Sequence, residues 1–304
     1  MKCKQPRRIT KNLDPNKFPD GLLVRCGVCM QCRLDQREHW VLRLYHEYES
    51  WKDSMFVTLT YSDDHLPINH YPAGNGQSTL LKDDVQLFLK RLRKRTNKKL
   101  KYFICGEYGE EVGRPHYHGI IYGLDYYKEE DRQSVKDCWK KCDWEMLMDK
   151  KSFGSVNVQS IRYVVSYLEK SIHGSWEQYA YDCIQKPFHI MSKGIGKIYA
   201  KKNGDNLHDK GYVLLQGFKK PIPRYYSNIS GRDRKYLKDF AEEKEKLMVE
   251  SLTGNYLTRD ELYRLGTIDE VRSAEDRVRQ SNLQNELNLK ARDSLRKRKK
   301  KRDI

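Results

Sequence analysis

The sequence contains no run of about 18 consecutive apolar residues, so no segment reads as a membrane-spanning helix. Its opening MKCKQPRRIT has charges with no apolar stretch behind them, which excludes the pattern of a secretory signal. No internal repeat is present, and this sets aside an array of stacked units. Acidic residues are in short supply. Asp and Glu number 42 against 59 Lys and Arg, giving a net charge of +17. Solubility alone would be served as well by acid, so the excess points to a polyanionic partner. No long basic helix carries a bulky apolar face, which favours nucleic acid over an anionic membrane. The expected setting is a reducing cytoplasm, where the eight cysteines are thiols or metal ligands rather than disulfides.

A chain of 304 residues can bury one large domain, with or without extensions. Residues 1–50 combine a cysteine cluster with a helix from Cys32 on, whose apolar stripe is Trp40, Leu44 and Tyr48. Residues 51–230 form the main domain. Met55 to Tyr61 is β-rich and is ended by Ser62, Asp63, Asp64 and Pro67. A loop with Gly74, Asn75 and Gly76 follows. Asp83 and Asp84 then open a helix with the face Val85, Phe88, Leu89 and Leu92. Lys101 to Glu107 reads as a strand that returns through Gly109, Gly113 and Pro115 into a second strand, making a hairpin. Val156 to Val158 reads as a short strand, and Ser160 as the N-cap of a helix through Lys170. Strand, helix, strand, strand, helix describes an α+β fold: an antiparallel β-sheet flanked by helices. Residues 231–304 turn charged and helix-prone. They read as a solvated helix ending in a disordered basic tail, with seven consecutive basic residues from Arg296 to Arg302.

The stretch Arg114-Pro-His-Tyr-His-Gly-Ile-Ile-Tyr122 holds the most chemistry. On a strand, His116 and His118 share one face and Tyr117 takes the other. If Glu107 pairs with His116 across the hairpin, two imidazoles and a carboxylate converge. That set leaves coordination positions open, as a catalytic divalent ion needs, and suits Mg²⁺ or Mn²⁺, of which Mn²⁺ tolerates imidazole better. Such an ion would polarise a scissile phosphate. Tyr163, Tyr167 and Lys170 fall at i, i+4 and i+7, on one helical face. The same spacing also suits aromatic packing against a sheet. A tyrosine hydroxyl, with a pKa of about 10, attacks a phosphodiester only when a metal or cation activates it. Attack would leave a 5′-phosphotyrosine and free a 3′-OH, and Lys170 could assist. A second tyrosine would let the reverse event proceed before the first strand is released.

Phe56-Val-Thr-Leu-Thr-Tyr61, Gly106-Glu-Tyr-Gly109, Arg114-Pro-His-Tyr-His118 and Tyr163-Val-Val-Ser-Tyr167-Leu-Glu-Lys170 resemble, in order, the motifs of HUH endonucleases. More closely, the chain resembles the rolling-circle replication initiators of microviruses, particularly those of the gokushovirus type. The resemblance implies an HUH nickase with an RRM-like palm, acting on single-stranded DNA at the viral replication origin in the host cytoplasm. It assigns the metal to His116, His118 and Glu107, and alternating attack to Tyr163 and Tyr167. Ser166 stands after Tyr163 where the family pattern often has lysine, while Lys170 fits the place after Tyr167. That difference sets the two tyrosines apart and supports Tyr167 better.

Cys26, Cys29 and Cys32, with Cys3 upstream, have spacing that could form a structural Cys₄ zinc site, or simply a set of reduced, partly buried thiols. Gly194-Ile-Gly-Lys197 is not a phosphate loop, because Met191 replaces the first glycine and Ile198 the Ser/Thr. Without an ATPase, host helicase and DNA polymerase are the expected partners. The basic runs Lys90–Lys101 and Arg296–Arg302 suit phosphate contacts or a solvated face. The competing functions are a transposase or relaxase with the same chemistry, and a non-catalytic, zinc-containing single-stranded DNA-binding protein.

Overall fold

The computed structural model describes residues 3, 5–11, 21–69, 76–109, 113–145, 152–170, 181 and 183–229, with scattered positions between 239 and 284. The charged helical segment and basic tail expected over 231–304 therefore lie outside the described residues, those scattered positions apart. The chain divides into two compact units, one of Met1–Gln36 with Gly231–Ile304 and one of Arg37–Ser230. No helix among the described residues is long and apolar enough to cross a membrane.

In the first unit β1 (Arg7–Ile9) and β2 (Leu22–Val24) pair antiparallel. Helix α1 (Met30–Tyr48) begins there and continues into the second unit, which also holds β3 (Ser54–Leu59), α2 (Lys82–Thr96), β4 (Lys101–Tyr108), β5 (Pro115–Tyr122), α3 (Glu129–Cys138), β6 (Phe153–Gly154) and α4 (Val158–Lys170). These are followed by β7 (Phe188–Met191), α5 (Lys197–Lys210), the hairpin of β8 (Val213–Leu215) and β9 (Phe218–Lys220), and α6 (Arg224–Ile229). The central sheet has the order β6-β3-β5-β4-β7, with every neighbouring pair antiparallel. The fold is α+β, as the order of elements suggested.

Alternation along the strands gives the sheet two apolar faces, each covered by helices. Phe103, Cys105, Ile120 and Tyr122 pack with Trp40 and Leu44 of α1 and with Ile161, Val164, Val165 and Tyr167 of α4. Val57, Leu59, Ile104, Tyr117 and Ile121 pack on the other side with Val85, Phe88, Leu89 and Leu92 of α2 and with Val135 of α3. The basic run from Lys90 to Lys101 thus begins on the helix opposite α4. Three of its cations meet acids: Arg95 pairs with Asp137, Lys98 with Asp131 at 2.5 Å and Lys101 with Glu47 at 2.7 Å.

One local expectation is corrected. Val156–Val158 is not a strand; the short edge strand is Phe153–Gly154, paired to β3 at Phe56 and Val57. The cap of α4 is Asn157 rather than Ser160. Asn157 Oδ1 accepts the Ser160 N–H at 2.8 Å, and the Asn157 N–H donates to Ser160 Oγ at 2.9 Å. This is a reciprocal capping box in which Ser160 fills the place usually held by Glu.

Candidate active site

The hairpin register sets the site. Glu107 of β4 stands directly opposite His116 of β5, and Cys105 opposite His118, so both imidazoles and the carboxylate share the face covered by α4. The Glu107 carboxylate approaches His116 Nε2 at 2.7 Å and His118 Nε2 at 3.4 Å. One ligand atom from each of the three lies within 4.8 Å of the others.

The opposite nitrogens of both rings are already engaged. His116 Nδ1 donates to the Arg114 carbonyl at 3.0 Å, and His118 Nδ1 meets Thr58 Oγ1 at 3.0 Å. The carbonyl can only accept, so it fixes the proton of His116 on Nδ1 and leaves Nε2 as the donor atom for a cation. Phe56 stacks beside His118 with ring centroids 6.0 Å apart. Arg114 is held in turn by its guanidinium, which donates to Asp63 and to the Tyr61 carbonyl, each at 2.6 Å. Two borderline nitrogens and a hard carboxylate oxygen, oriented from behind, make a donor set that fits a divalent cation of the Mg²⁺ or Mn²⁺ class.

Helix α4 brings both tyrosines to this set. Tyr167 stacks on His118, with centroids 4.8 Å apart and planes 9° from parallel, and Tyr163 meets the same ring edge-on at 5.1 Å. The two phenols are 5.1 Å apart. Their environments differ: Tyr163 is 47% exposed and Tyr167 only 5%. Burial pushes the Tyr167 hydroxyl well above the ordinary tyrosine range. Its hydrogen bond with Tyr163 and the neighbouring Glu107 charge add to the rise. Without a cation, that hydroxyl stays protonated. Ser166 donates to the Tyr163 carbonyl at 2.7 Å and so folds back on its own helix. Lys170 closes α4, and its side chain lies outside the described residues.

Sequence reasoning found the two histidines, the glutamate and the tyrosines, and the fold assembles all five. It missed Thr58, Phe56 and the orienting roles of the Arg114 carbonyl and guanidinium. The register of β3 against β5 brings Thr58 opposite His118. The spacing of Phe56 and Thr58 on one strand face was the available signal.

The Gly194–Lys197 loop serves the scaffold. Buried Glu47 accepts the Gly196 N–H at 2.7 Å, and Lys101 Nζ donates to the Gly194 carbonyl at 3.2 Å. Gly196 has φ +75°, and a Cβ there would come 2.6 Å from the Tyr226 hydroxyl, so only glycine fits. The amide that a phosphate loop would offer is already given to a carboxylate.

Residues 54–172 match the family model described as replication-associated protein ORF2. The replication-associated protein VP4 of Bdellovibrio phage phiMH2K is 32% identical over 246 residues, covering 73% of this chain and 70% of its own length. The replication-associated protein ORF2 of Spiroplasma virus 4 is 31% identical over 246 residues, covering 75% of each. The replication-associated protein ORF4 of Chlamydia phage 1 is 25% identical over 218 residues, covering 67% of this chain and 52% of its own. No solved structure matches. Sequence shared along most of the chain, across all the strands and the helix that build the site, places the protein among the microvirus-type rolling-circle replication initiators, the family of these phage replication-associated proteins.

Proposed function

We propose that the chain is a metal-dependent DNA nicking and joining endonuclease of the HUH type. In this reading it cuts single-stranded DNA at the viral origin through a tyrosine and frees a 3′-OH to prime rolling-circle replication. The observation that carries the reading is the convergence of Glu107, His116 and His118 with both tyrosine rings packed on His118.

A divalent ion held by Glu107, His116 and His118 would polarise the scissile phosphate and offset charge building on its oxygens. The chain's own residues supply the rest. Thr58 and the Arg114 carbonyl keep both Nε2 atoms aimed at the ion. Tyr167 is the first nucleophile: its hydroxyl lies against Glu107, where cation binding would lower the cost of losing the proton. Its Oη forms a bond to phosphorus as the bond from phosphorus to the 3′ oxygen breaks, and the leaving oxygen takes up a proton. The product is a 5′-phosphotyrosine and a free 3′-OH. The more exposed Tyr163 performs the second transfer, attacking the regenerated origin while the first linkage persists. The strand is closed when a 3′-OH attacks the phosphotyrosine and returns the phenol. Helicase and polymerase are, in this reading, those of the host, and the work takes place in the host cytoplasm.

The test incubates the protein with labelled single-stranded origin DNA and Mn²⁺, then offers the products to a polymerase. Cleavage that needs the metal and yields an extendable 3′ end supports the proposal. Retarded DNA that is never cut, with or without metal, would favour a non-catalytic binding protein.

A further inference from the structure

The nicking chemistry makes no use of the cysteines at the start of the chain. Cys3, Cys26, Cys29 and Cys32 are all buried, and their sulfurs lie within 4.8 Å of one another. Cys3 Sγ is 3.6 Å from Cys26 Sγ and 3.9 Å from Cys29 Sγ, and the Cys26 and Cys32 sulfurs are 4.0 Å apart. A disulfide would bring two sulfurs to about 2.05 Å. Four thiolates at about 2.3 Å from a tetrahedral zinc ion instead stand about 3.8 Å from each other. The observed separations bracket that edge. An iron–sulfur cluster binds each cysteine to a different iron or iron pair and spreads the sulfurs farther.

The backbone is arranged for thiolates. Gly27 takes φ +77°, turning the chain so that the Cys29 N–H donates to Cys26 Sγ at 3.2 Å, while the Cys26 N–H donates to Cys3 Sγ at 3.3 Å. Four thiolates around Zn²⁺ leave a net charge of −2, and the guanidinium of Arg25 contacts Cys32 while pairing with Asp35. The ligands come from the segment before β1, the turn after β2 and the start of α1. Among the described residues of 3–32, the buried cluster is these four cysteines, and Ile9 is exposed. So short a two-stranded ribbon lacks a core of its own, and metal binding stands in for one.

We infer that Cys3, Cys26, Cys29 and Cys32 hold a closed structural zinc ion. This site differs in ligand chemistry from the open His, His and Glu set, so each can be emptied without the other. The inference does not rest on the nicking reading, and its test uses no DNA. Full-length protein purified without chelators should contain one zinc per chain. Replacement by Co²⁺ should give the intense thiolate charge-transfer bands of a tetrahedral S₄ centre. Alkylation mapped by mass spectrometry should spare these four cysteines until a zinc-selective chelator is added. Cys29→Ser should reduce zinc content to near zero, whereas His116→Ala should leave it at one equivalent. Should Cys29→Ser fail to fold, the cobalt spectrum and the alkylation map of the unaltered protein still decide. A zinc-free folded protein whose four thiols alkylate freely would overturn the inference, as would zinc that leaves with His116→Ala and stays with Cys29→Ser.

Discussion

Thr58 is the residue whose role is most open to direct test. Its hydroxyl meets His118 Nδ1 at 3.0 Å, behind the nitrogen that faces Glu107. Removing such a partner lowers metal affinity by about 10–100-fold in comparable sites. Thr58→Val should therefore weaken Mn²⁺ binding by about that factor, measured by calorimetry without DNA, while Thr58→Ser should bind nearly as well as the parent. Equal affinity in the valine variant would show that the contact does not orient the imidazole. At this scale the ligands were legible because His116 and His118 are two apart on one strand. Glu107 followed from the length of the hairpin loop. Thr58 was not, since its place opposite His118 depends on β3 entering the sheet beside β5, which no local pattern specifies. The unequal setting of the tyrosines was only partly legible. Ser166 marked a difference in sequence, whereas the contrast in burial arises from the packing of α4 on the sheet.

Helix α4 presents the nucleophiles, so its start matters for both stability and geometry. Asn157 and Ser160 satisfy each other's backbone N–H groups in the capping box. Asn157→Ala should cost about 1 kcal/mol, read from urea denaturation. An unchanged midpoint would mean that the cap carries no weight. The strand misread over Val156–Val158 has a physical origin: two valines around an asparagine look like alternation. In the fold Val156 and Val158 are both buried, and the asparagine between them turns the chain into α4. The hairpin of β4 and β5 and the helix α2 were readable because apolar periodicity persists through each. The edge strand β6, with two residues, is too short to leave a signal.

Across the second unit, buried imidazoles couple stability to pH. His46 packs face to face with Tyr199 at 3.5 Å, its Nδ1 lies 2.8 Å from the Tyr226 hydroxyl, and burial pushes its pKa down to about 4. Burial also lowers that of His189. An unfolded histidine titrates at about 6.5, so on acidification the unfolded state takes up a proton first. The stability from neutral His46 is complete above pH of about 6.5 and is lost as pH falls toward 4, by up to about 3 kcal/mol. Urea midpoints measured from pH 7.5 down to 4.5 should fall, and His46→Gln should flatten the decline. A midpoint that rose on acidification would refute the assignment. The α+β class and the antiparallel sheet were readable at this scale from the order of elements. Burial of His46 was hidden, because Tyr199 and Tyr226 lie far from it in the chain and meet it only once α5 and α6 pack on α1.

The central claim is that a tyrosine of α4, beside the His116 and His118 metal site, becomes joined to DNA. Peptide mapping of the covalent product tests it most directly. After reaction with origin DNA and Mn²⁺, nuclease trimming and proteolysis, mass spectrometry should locate a nucleotide phosphate on Tyr167. In Tyr167→Phe it should appear on Tyr163 at a lower yield. No adduct should form in the double Phe variant or in Glu107→Ala with His116→Ala. An adduct on a residue outside α4, or one that survives the double Phe change, would contradict the claim.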